Sequence, residues 1–515
     1  MRAAGPFRRL ARQSSVYAVG NAVAKAGGVL TVPLYLRLLS VEGVGYLGLL
    51  VATAQVAIPL AGLGLTGGLL TFSTAPDRAA SRAALPFTTL ALTAAAAAAL
   101  FGAFWAGAEP LAAALLDGPD RAPLVRMLGG YAALKVVQAV PLLLLRLDER
   151  AGLYALASVL ETAVLVGATY VAMVRLGLGL EGAVWGLVVS AGASTAALTA
   201  GALGRVPWRL DPGLVRALVR FGAPLALGAV ALPIVHVGDR YVLKALAGPA
   251  EVGVYDLAAR LAGLLNVLVV QSFAQAFAVV GMKALAEPGA APFYRRTVRL
   301  YTALAGWAAL AVALGTYDAA LVLAGDAEFV GAEPMALPLA LGFVAYGLYL
   351  VFANALYAAG ATRTVAGTLV AAVVVNLGLN VALVPALGGV GAALATLASY
   401  GLMAGLTARA AERRRPVGYP WRAVAAVGAS VVGLWALALA APTPTFWGRL
   451  AVRGAAVAAY PAVVVALGVY SRAEVRALAA RLQGRLRAAL GRAPADDGAA
   501  GDDATGDGRQ RPGPP

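Results

Sequence analysis

Several ionisable residues of this chain lie inside apolar runs long enough to cross a bilayer. Lys25, Lys135 and Arg260 are basic; Glu161 and Asp256 are acidic. A charge at that depth is costly, so such groups face a cavity or a partner rather than lipid. Helical spacing sorts them into stripes. Tyr17, Asn21 and Lys25 stand four residues apart, Tyr131, Lys135 and Gln138 share one face, and Asp256, Arg260, Gln271 and Gln275 fall along another. Cations with amides and phenols suit an anionic group joined to a hydroxyl-rich one. Each residue also has a purely structural reading. Asp256 and Arg260, one turn apart, can neutralise each other, and Glu161 can pair with Lys135 of the neighbouring helix. Glu161, Asp256, Asp239 and His236 are thus candidates for ion pairing or ion coupling. His236 fits a packed neutral ring, Asp239 with Arg240 an interfacial pair, and Asn376 with Asn380 bonds between helices.

The elements that must carry these residues are membrane helices. Of 515 residues, 61% are hydrophobic and 13% charged, half the charge of a typical soluble domain, at roughly 25%. Soluble enzymes and secreted scaffolds are excluded. The chain has no Cys and a single His. That removes disulfides, thiolate nucleophiles, Cys-based metal sites and His pairs. Lys25, Lys135, Lys244 and Lys283 are each followed by a residue other than Ser or Thr, so there is no phosphate-cradling Walker loop. No cofactor or metal is expected.

Runs of about 20 apolar residues give fourteen spans, at 13–36, 44–72, 83–107, 122–146, 151–175, 181–203, 216–238, 252–281, 297–323, 335–359, 364–384, 389–409, 421–441 and 448–470. The net charge of +16 collects in alternate loops. Arg78 and Arg82, Arg146 and Arg150, Arg205 to Arg220, Lys283 to Arg299, Arg363, and Arg409 to Arg415 fall on one side. Glu109, Asp117, Asp120, Asp318, Asp326, Glu328 and Glu333 fall on the other. The positive-inside bias puts both termini in the cytoplasm. It also removes the nucleic-acid reading that the charge alone would suggest. Residues 471–492 read as a basic amphipathic helix on the inner leaflet, and 493–515 as a disordered tail.

Gly45-Tyr46-Leu47-Gly48-Leu49 resembles Gly253-Val254-Tyr255-Asp256-Leu257, 208 residues on. Gly179-Leu180-Glu181-Gly182-Ala183 resembles Gly388-Gly389-Val390-Gly391-Ala392, 209 on; each match is short, and the shared lag is what joins them. The lag spans six helices, so the halves run parallel. The expected fold is an all-α polytopic membrane protein of about 14 helices. A cytoplasmic N-terminus (1–12) precedes two parallel six-helix lobes (13–210 and 211–412) around a central cavity; two extra helices (413–470) and the tail follow. Gly62-x-Gly64-x-x-Gly67 and Gly177-x-Gly179-x-x-Gly182 imitate a dinucleotide motif but lie within or beside membrane helices, where small residues serve close packing.

Gly360-x-Thr362, Asn376-x-x-x-Asn380, Pro385 and Gly388-x-x-Gly391-Ala392-Ala393-x-Ala395-Thr396 with Ser399 resemble the second-lobe signature of oligosaccharide flippases. So do Arg220-Phe221-Gly222-x-Pro224, Asp239 and Gly253-x-Tyr255. These flippases belong to the multidrug/oligosaccharidyl-lipid/polysaccharide exporter superfamily, with Wzx-type translocases, lipid II flippases and cation-coupled multidrug exporters among its branches. The resemblance implies a monomeric transporter of the bacterial cytoplasmic membrane, not an enzyme. Its implied cargo is an undecaprenyl-diphosphate-linked oligosaccharide, handed to polysaccharide-assembly proteins for surface polysaccharide such as O-antigen. Lys25, Lys135 and Arg260 would hold the diphosphate, and Asn21, Gln138, Gln271 and Gln275 the glycan. A drug/cation antiporter would want an acidic first lobe, whereas this one holds two Lys and one Glu. A polysaccharide polymerase or glycosyltransferase would want a long catalytic external loop, which is lacking. Reporter fusions after Arg82, Arg220 and Arg415 should read as cytoplasmic and fusions near Asp117 and Asp326 as external; two reversed loops would overturn the fourteen-helix count.

Overall fold

The computed structural model describes residues 30–74, 83–470 except 205, 286, 288, 326 and 444, and residue 474. Within them no strand occurs. The first helix, α1 (Val32–Leu38), is the end of the first expected span; Asn21 and Lys25 lie outside the described residues, as does the basic amphipathic segment apart from Glu474.

The N-terminal lobe continues with α2 (Val41–Ala61), α3 (Leu65–Thr74), α4 (Leu85–Ala106), α5 (Ala108–Leu116), α6 (Ala122–Leu147), α7 (Ala151–Tyr170) and α8 (Gly179–Leu203). The C-terminal lobe follows with α9 (Pro212–Val237), α10 (Asp239–Ala247), α11 (Pro249–Leu265), α12 (Ser272–Ala284), α13 (Ala290–Ala324), α14 (Glu333–Ala358) and α15 (Thr362–Arg414). Appended helices α16 (Trp421–Ala440) and α17 (Phe446–Ala466) pack on α13.

Twelve helices among the described residues are long and apolar enough to cross a membrane. One of them, α15, has 53 residues, about 80 Å at 1.5 Å per residue and far more than a bilayer of about 30 Å needs. It folds back at Gly388, whose φ of 55° and ψ of −135° are open to glycine. The Glu251 carboxylate accepts the Gly389 N–H at 2.6 Å and caps the returning half. Helix α15 is therefore two crossings. With them the described spans match the expected second to fourteenth.

Local chemistry sets the helix ends. Asp211 caps α9 by accepting the Gly213 and Leu214 N–H groups, with Pro212 at the first position. Ser40 caps α2 and Thr445 caps α17 in the same way. The expected unbroken span 44–72 is divided, because Leu63 and Gly64 take positive φ after Pro59 and Gly62. Two π turns, Val171–Arg175 and Asn266–Gln271, extend α7 and α11. The second removes the expected single stripe of Asp256, Arg260, Gln271 and Gln275. A π turn carries one more residue than an α turn, so everything beyond it is rotated about the axis.

The repeat has a spatial counterpart. Helices α2 and α11 cross at the end of the bundle that holds the α1–α2 and α10–α11 connections. A Cβ on Gly45 would lie 2.0 Å from the Pro249 carbonyl oxygen; a Cβ on Gly253 would lie 2.0 Å from that of Val41. Val41 and Pro249 are themselves 208 apart, so the contact is self-complementary, like an isologous dimer interface within one chain. One turn deeper Gly48 packs on Asp256, again its own repeat partner. The Gly62–Gly67 motif also serves packing: a Cβ on Gly64 would lie 2.7 Å from the Gly222 carbonyl oxygen of α9.

Adding side-chain carbons at Gly253 must therefore part the two helices by roughly 1 Å or more. Because the chain is free of cysteine, a single Cys at Val51, on the central cavity, is a unique probe. Gly253→Val should raise its labelling by an impermeant maleimide added outside cells. Unchanged labelling at normal membrane levels would show that this contact does not close the bundle.

Candidate functional site

A cavity of about 360 Å³ lies between the lobes, bordered by Tyr35, Tyr131, Lys135, Ser158 and Glu161 of the first and Arg260 of the second. The Arg260 guanidinium stands 6.0 Å from the Tyr35 ring centroid. Cations from both lobes thus reach one space, and each carries a carboxylate. Lys135 Nζ donates to Glu161 and, at 2.8 Å, to Gln138 Oε1. Gln138 Nε2 donates to the second Glu161 oxygen at 2.7 Å and to Ser194 at 2.6 Å. Lys135 and Glu161 keep about a quarter of their side chains accessible, at 24% and 23%, so an entering anion can reach the ammonium group.

Behind Arg260 lies a larger network. Arg260 Nε and the Arg240 guanidinium donate to opposite oxygens of Asp256, Arg240 at 3.1 and 2.9 Å. Arg240 Nη1 also reaches Asp239 at 3.4 Å and the His236 carbonyl at 3.3 Å. Tyr255 and Thr396 donate to the other Asp239 oxygen, the latter at 3.4 Å. Two cations and two carboxylates balance, which is the condition for charges this deep. His236 hydrogen-bonds Tyr400 through Nδ1 and meets Tyr346 edge-on at 5.4 Å, a packed aromatic setting.

Not every expected residue lies on the cavity. Lys135, Glu161 and Arg260 do. Gln138 is buried behind Lys135 and orients Glu161 instead. Gln271 and Gln275 do not border the cavity; Gln271 hydrogen-bonds Tyr346, and Gln275 is exposed. Asn376 and Asn380 bond along their own helix, the Asn380 amide donating to the Asn376 carbonyl at 2.8 Å. Asp239 and Arg240 are buried rather than interfacial, and Arg260 is not the sole deep cation of its lobe. Sequence reasoning placed Arg240 at the membrane edge instead of in this network. It also missed a second cluster, in which Arg453 of α17 reaches Asp318 at 3.3 Å and Glu333 at 2.6 Å beside Arg449. Two Arg four apart in the last span were its signal; Asp318 and Glu333 are their counterions as well as loop charges.

The end of the bundle at Gly45 and Gly253 is tied across the lobes by polar contacts. Lys244 of α10 pairs with Asp117, whose other oxygen accepts the Tyr46 hydroxyl at 3.0 Å. Arg37 donates to the Val322 and Leu323 carbonyls at the C-terminus of α13, at 2.9 and 3.0 Å.

Two parallel lobes around a cavity with paired internal charges are the architecture of a membrane transporter. The fold agrees with solved relatives. The chain resembles the structure "Lipid II flippase MurJ, inward closed conformation" with a TM-score of 0.73 at 12% identity, covering 88% of this chain and 99% of that one. An inward-facing multidrug resistance MATE transporter of the MOP superfamily follows at 0.62 and 16%, covering 80% and 98%. A MOP superfamily transporter from Pyrococcus furiosus Vc1 matches at 0.58 and 16%, covering 82% and 96%. No curated protein matches the sequence. The family model described as "Polysaccharide biosynthesis protein" matches residues 10–279, and that of the lipid II flippase MurJ matches residues 335–448. The chain is a multi-pass flippase of the multidrug/oligosaccharidyl-lipid/polysaccharide exporter superfamily. It belongs to the polysaccharide biosynthesis protein family.

The hydrogen bond from Lys244 holds the Asp117 carboxyl below its usual range, with help from Tyr46 and against partial desolvation. A depressed carboxylate stabilises the closed end above the ordinary value of about 3.9, and that stabilisation is lost only as pH falls through the lowered value. External labelling of a Cys at Val51, expressed at each pH relative to the same thiol in the denatured protein so that its thiolate fraction cancels, should therefore stay flat from about pH 8 to 5. Lys244→Ala should raise it throughout that range. A rise near neutral pH in the parent, or no change in the variant, would remove this pair from the latch.

Proposed function

We propose that this protein flips an undecaprenyl-diphosphate-linked oligosaccharide across the bacterial cytoplasmic membrane for surface polysaccharide assembly, O-antigen included. It would do so as a monomer, with both termini in the cytoplasm and without catalysing a covalent step. Polysaccharide-assembly proteins would receive the product. The observation that carries the reading is the approach of Lys135 and Arg260, one from each lobe, to a single cavity closed at one end. A diphosphate entering there can take over the donors that Glu161 and Asp256 now occupy. Its charge would then bridge the lobes when they move. The Arg260 guanidinium offers a planar fork suited to phosphate oxygens. Tyr35, Tyr131 and Ser158 offer hydroxyls to the first sugars.

Lipid II is the second reading, favoured by the family model matched over residues 335–448. Deletion of the gene separates the two. Loss of a surface glycan with accumulation of its lipid-linked precursor supports polysaccharide export; loss of viability with accumulation of the peptidoglycan precursor supports lipid II.

Arg260→Ala should abolish flipping while Arg260→Lys keeps part of it. The double variant Asp256→Ala/Arg260→Ala leaves Arg240 and Asp239 balanced, so no buried charge is orphaned. It should remain inactive at normal membrane levels, as read by transport of the lipid-linked intermediate. Restored flipping in the double variant would reduce Arg260 to a structural partner of Asp256 and remove it from the substrate site.

A further inference from the structure

A second and larger cavity, of about 540 Å³, lies within the first lobe between α4, α6, α7 and α8. Its volume is within the range of ligand pockets, about 300–1,000 Å³. Its character is opposite to that of the inter-lobe cavity. Leu144, Leu156, Leu160 and Val164 form one wall and the small residues Ala193 and Ala197 of α8 the other. Small residues at that spacing ordinarily let helices close on each other. Here they face leucines across open space instead, and Leu156 and Leu160 are 52% and 51% exposed. The cavity is thus open along α7, and its apolar walls lack packing that hydrocarbon, not water, would supply.

The two cavities meet. Ala157 and Glu161 border both, so the apolar space begins at the carboxylate that holds Lys135. From there it follows α7 back to Leu153, with Asp148 and Pro207 at its far end. Along α7, from Val164 to Leu153, it extends about 17 Å. An anion on Lys135 would have a directly attached hydrocarbon chain at its mouth.

We propose that this N-lobe cavity is the binding site for the first isoprenoid units of the substrate's lipid, adjoining the diphosphate. The inference rests on the anionic, lipid-linked substrate argued above and adds where the chain goes: between α6, α7 and α8 of the first lobe rather than directly into the bilayer. It commits to the substrate's own chain, because the cavity is continuous with the cationic space at Glu161. A bilayer phospholipid would have its phosphate at the membrane surface and no reason to reach that carboxylate.

The test uses the purified full chain and three probes: inorganic diphosphate, farnesyl diphosphate and undecaprenyl diphosphate. Both isoprenoid diphosphates should bind at least about tenfold more tightly than inorganic diphosphate, through apolar burial. Ala197→Phe, which fills the cavity, should remove that advantage and leave inorganic diphosphate binding unchanged. An advantage that survives Ala197→Phe would place the chain elsewhere and overturn the inference. Photo-crosslinking from a benzophenone side chain at position 160 covers the case in which Ala197→Phe fails to fold. Undecaprenyl diphosphate should be captured there in vesicles of excess phospholipid, in competition with unlabelled probe. Capture of phospholipid alone, undiminished by undecaprenyl diphosphate, would assign the cavity to the bilayer and overturn it too. Binding of inorganic diphosphate with no gain from either chain sinks this inference alone. Failure of all three probes to bind sinks the diphosphate reading itself, and this inference with it.

Discussion

Helices α2 and α11 touch backbone to backbone, and most of the structure is arranged around that contact. Glycine at 45 and 253 lets each helix rest on a carbonyl of the other, so the axis relating the lobes passes through a place with no side chains. In a membrane, where lipid is as apolar as leucine, close approach of this kind is a main source of helix association. It fixes which faces of the lobes look at each other. Lys135 and Arg260 share a cavity because they stand on those faces, and Asp117 with Lys244 and Arg37 with the end of α13 can span the lobes because the helices beneath them already meet.

The second organising constraint is electrical. Within the described residues the charges placed deep in the lobes come as balanced sets: Lys135 with Glu161, Arg240 and Arg260 with Asp239 and Asp256, Arg449 and Arg453 with Asp318 and Glu333. Only the first two sets reach the inter-lobe cavity. In each of them the cation nearest the cavity is also partly accessible, at about a quarter of its side chain. A cation already matched by a carboxylate holds an anion only by exchange. Such a site can let go of a charged cargo as well as take hold of it, which a site of unpaired cations would not do.

Much of this was legible in the sequence because the bilayer imposes simple rules. Apolar runs of span length marked the helices from the second onward, and the lag between two glycine motifs marked the lobes. Lys135 with Glu161 and Asp256 with Arg260 followed from depth and spacing. Arg240 did not, because it lies just past an apolar run, where a charge is ordinarily interfacial; the connector α10 folds inward and buries it. Gln138 shares a helical face with Lys135, but its amide is taken by Glu161 and Ser194. Gln271 and Gln275 were grouped with Arg260 on regular 3.6-residue geometry, which the π turn breaks. The large N-lobe cavity has no sequence signature at all: leucines opposite alanines describe a tight interface as readily as an open one.

Among the described residues each lobe has one π turn, and the two are not equivalent. That of the first lobe closes α7, away from the axis, while that of the second sits midway along the helix pair α11 and α12. The half of that pair before the π turn remains registered on α2, its own repeat partner. Its inner half, beyond the π turn, is rotated out of that registration, and none of its residues borders the inter-lobe cavity. A duplicated ancestor with identical halves would offer the same groups from both sides. One additional residue in a single turn is enough to let the halves diverge in what they touch while keeping the axis on which they were built.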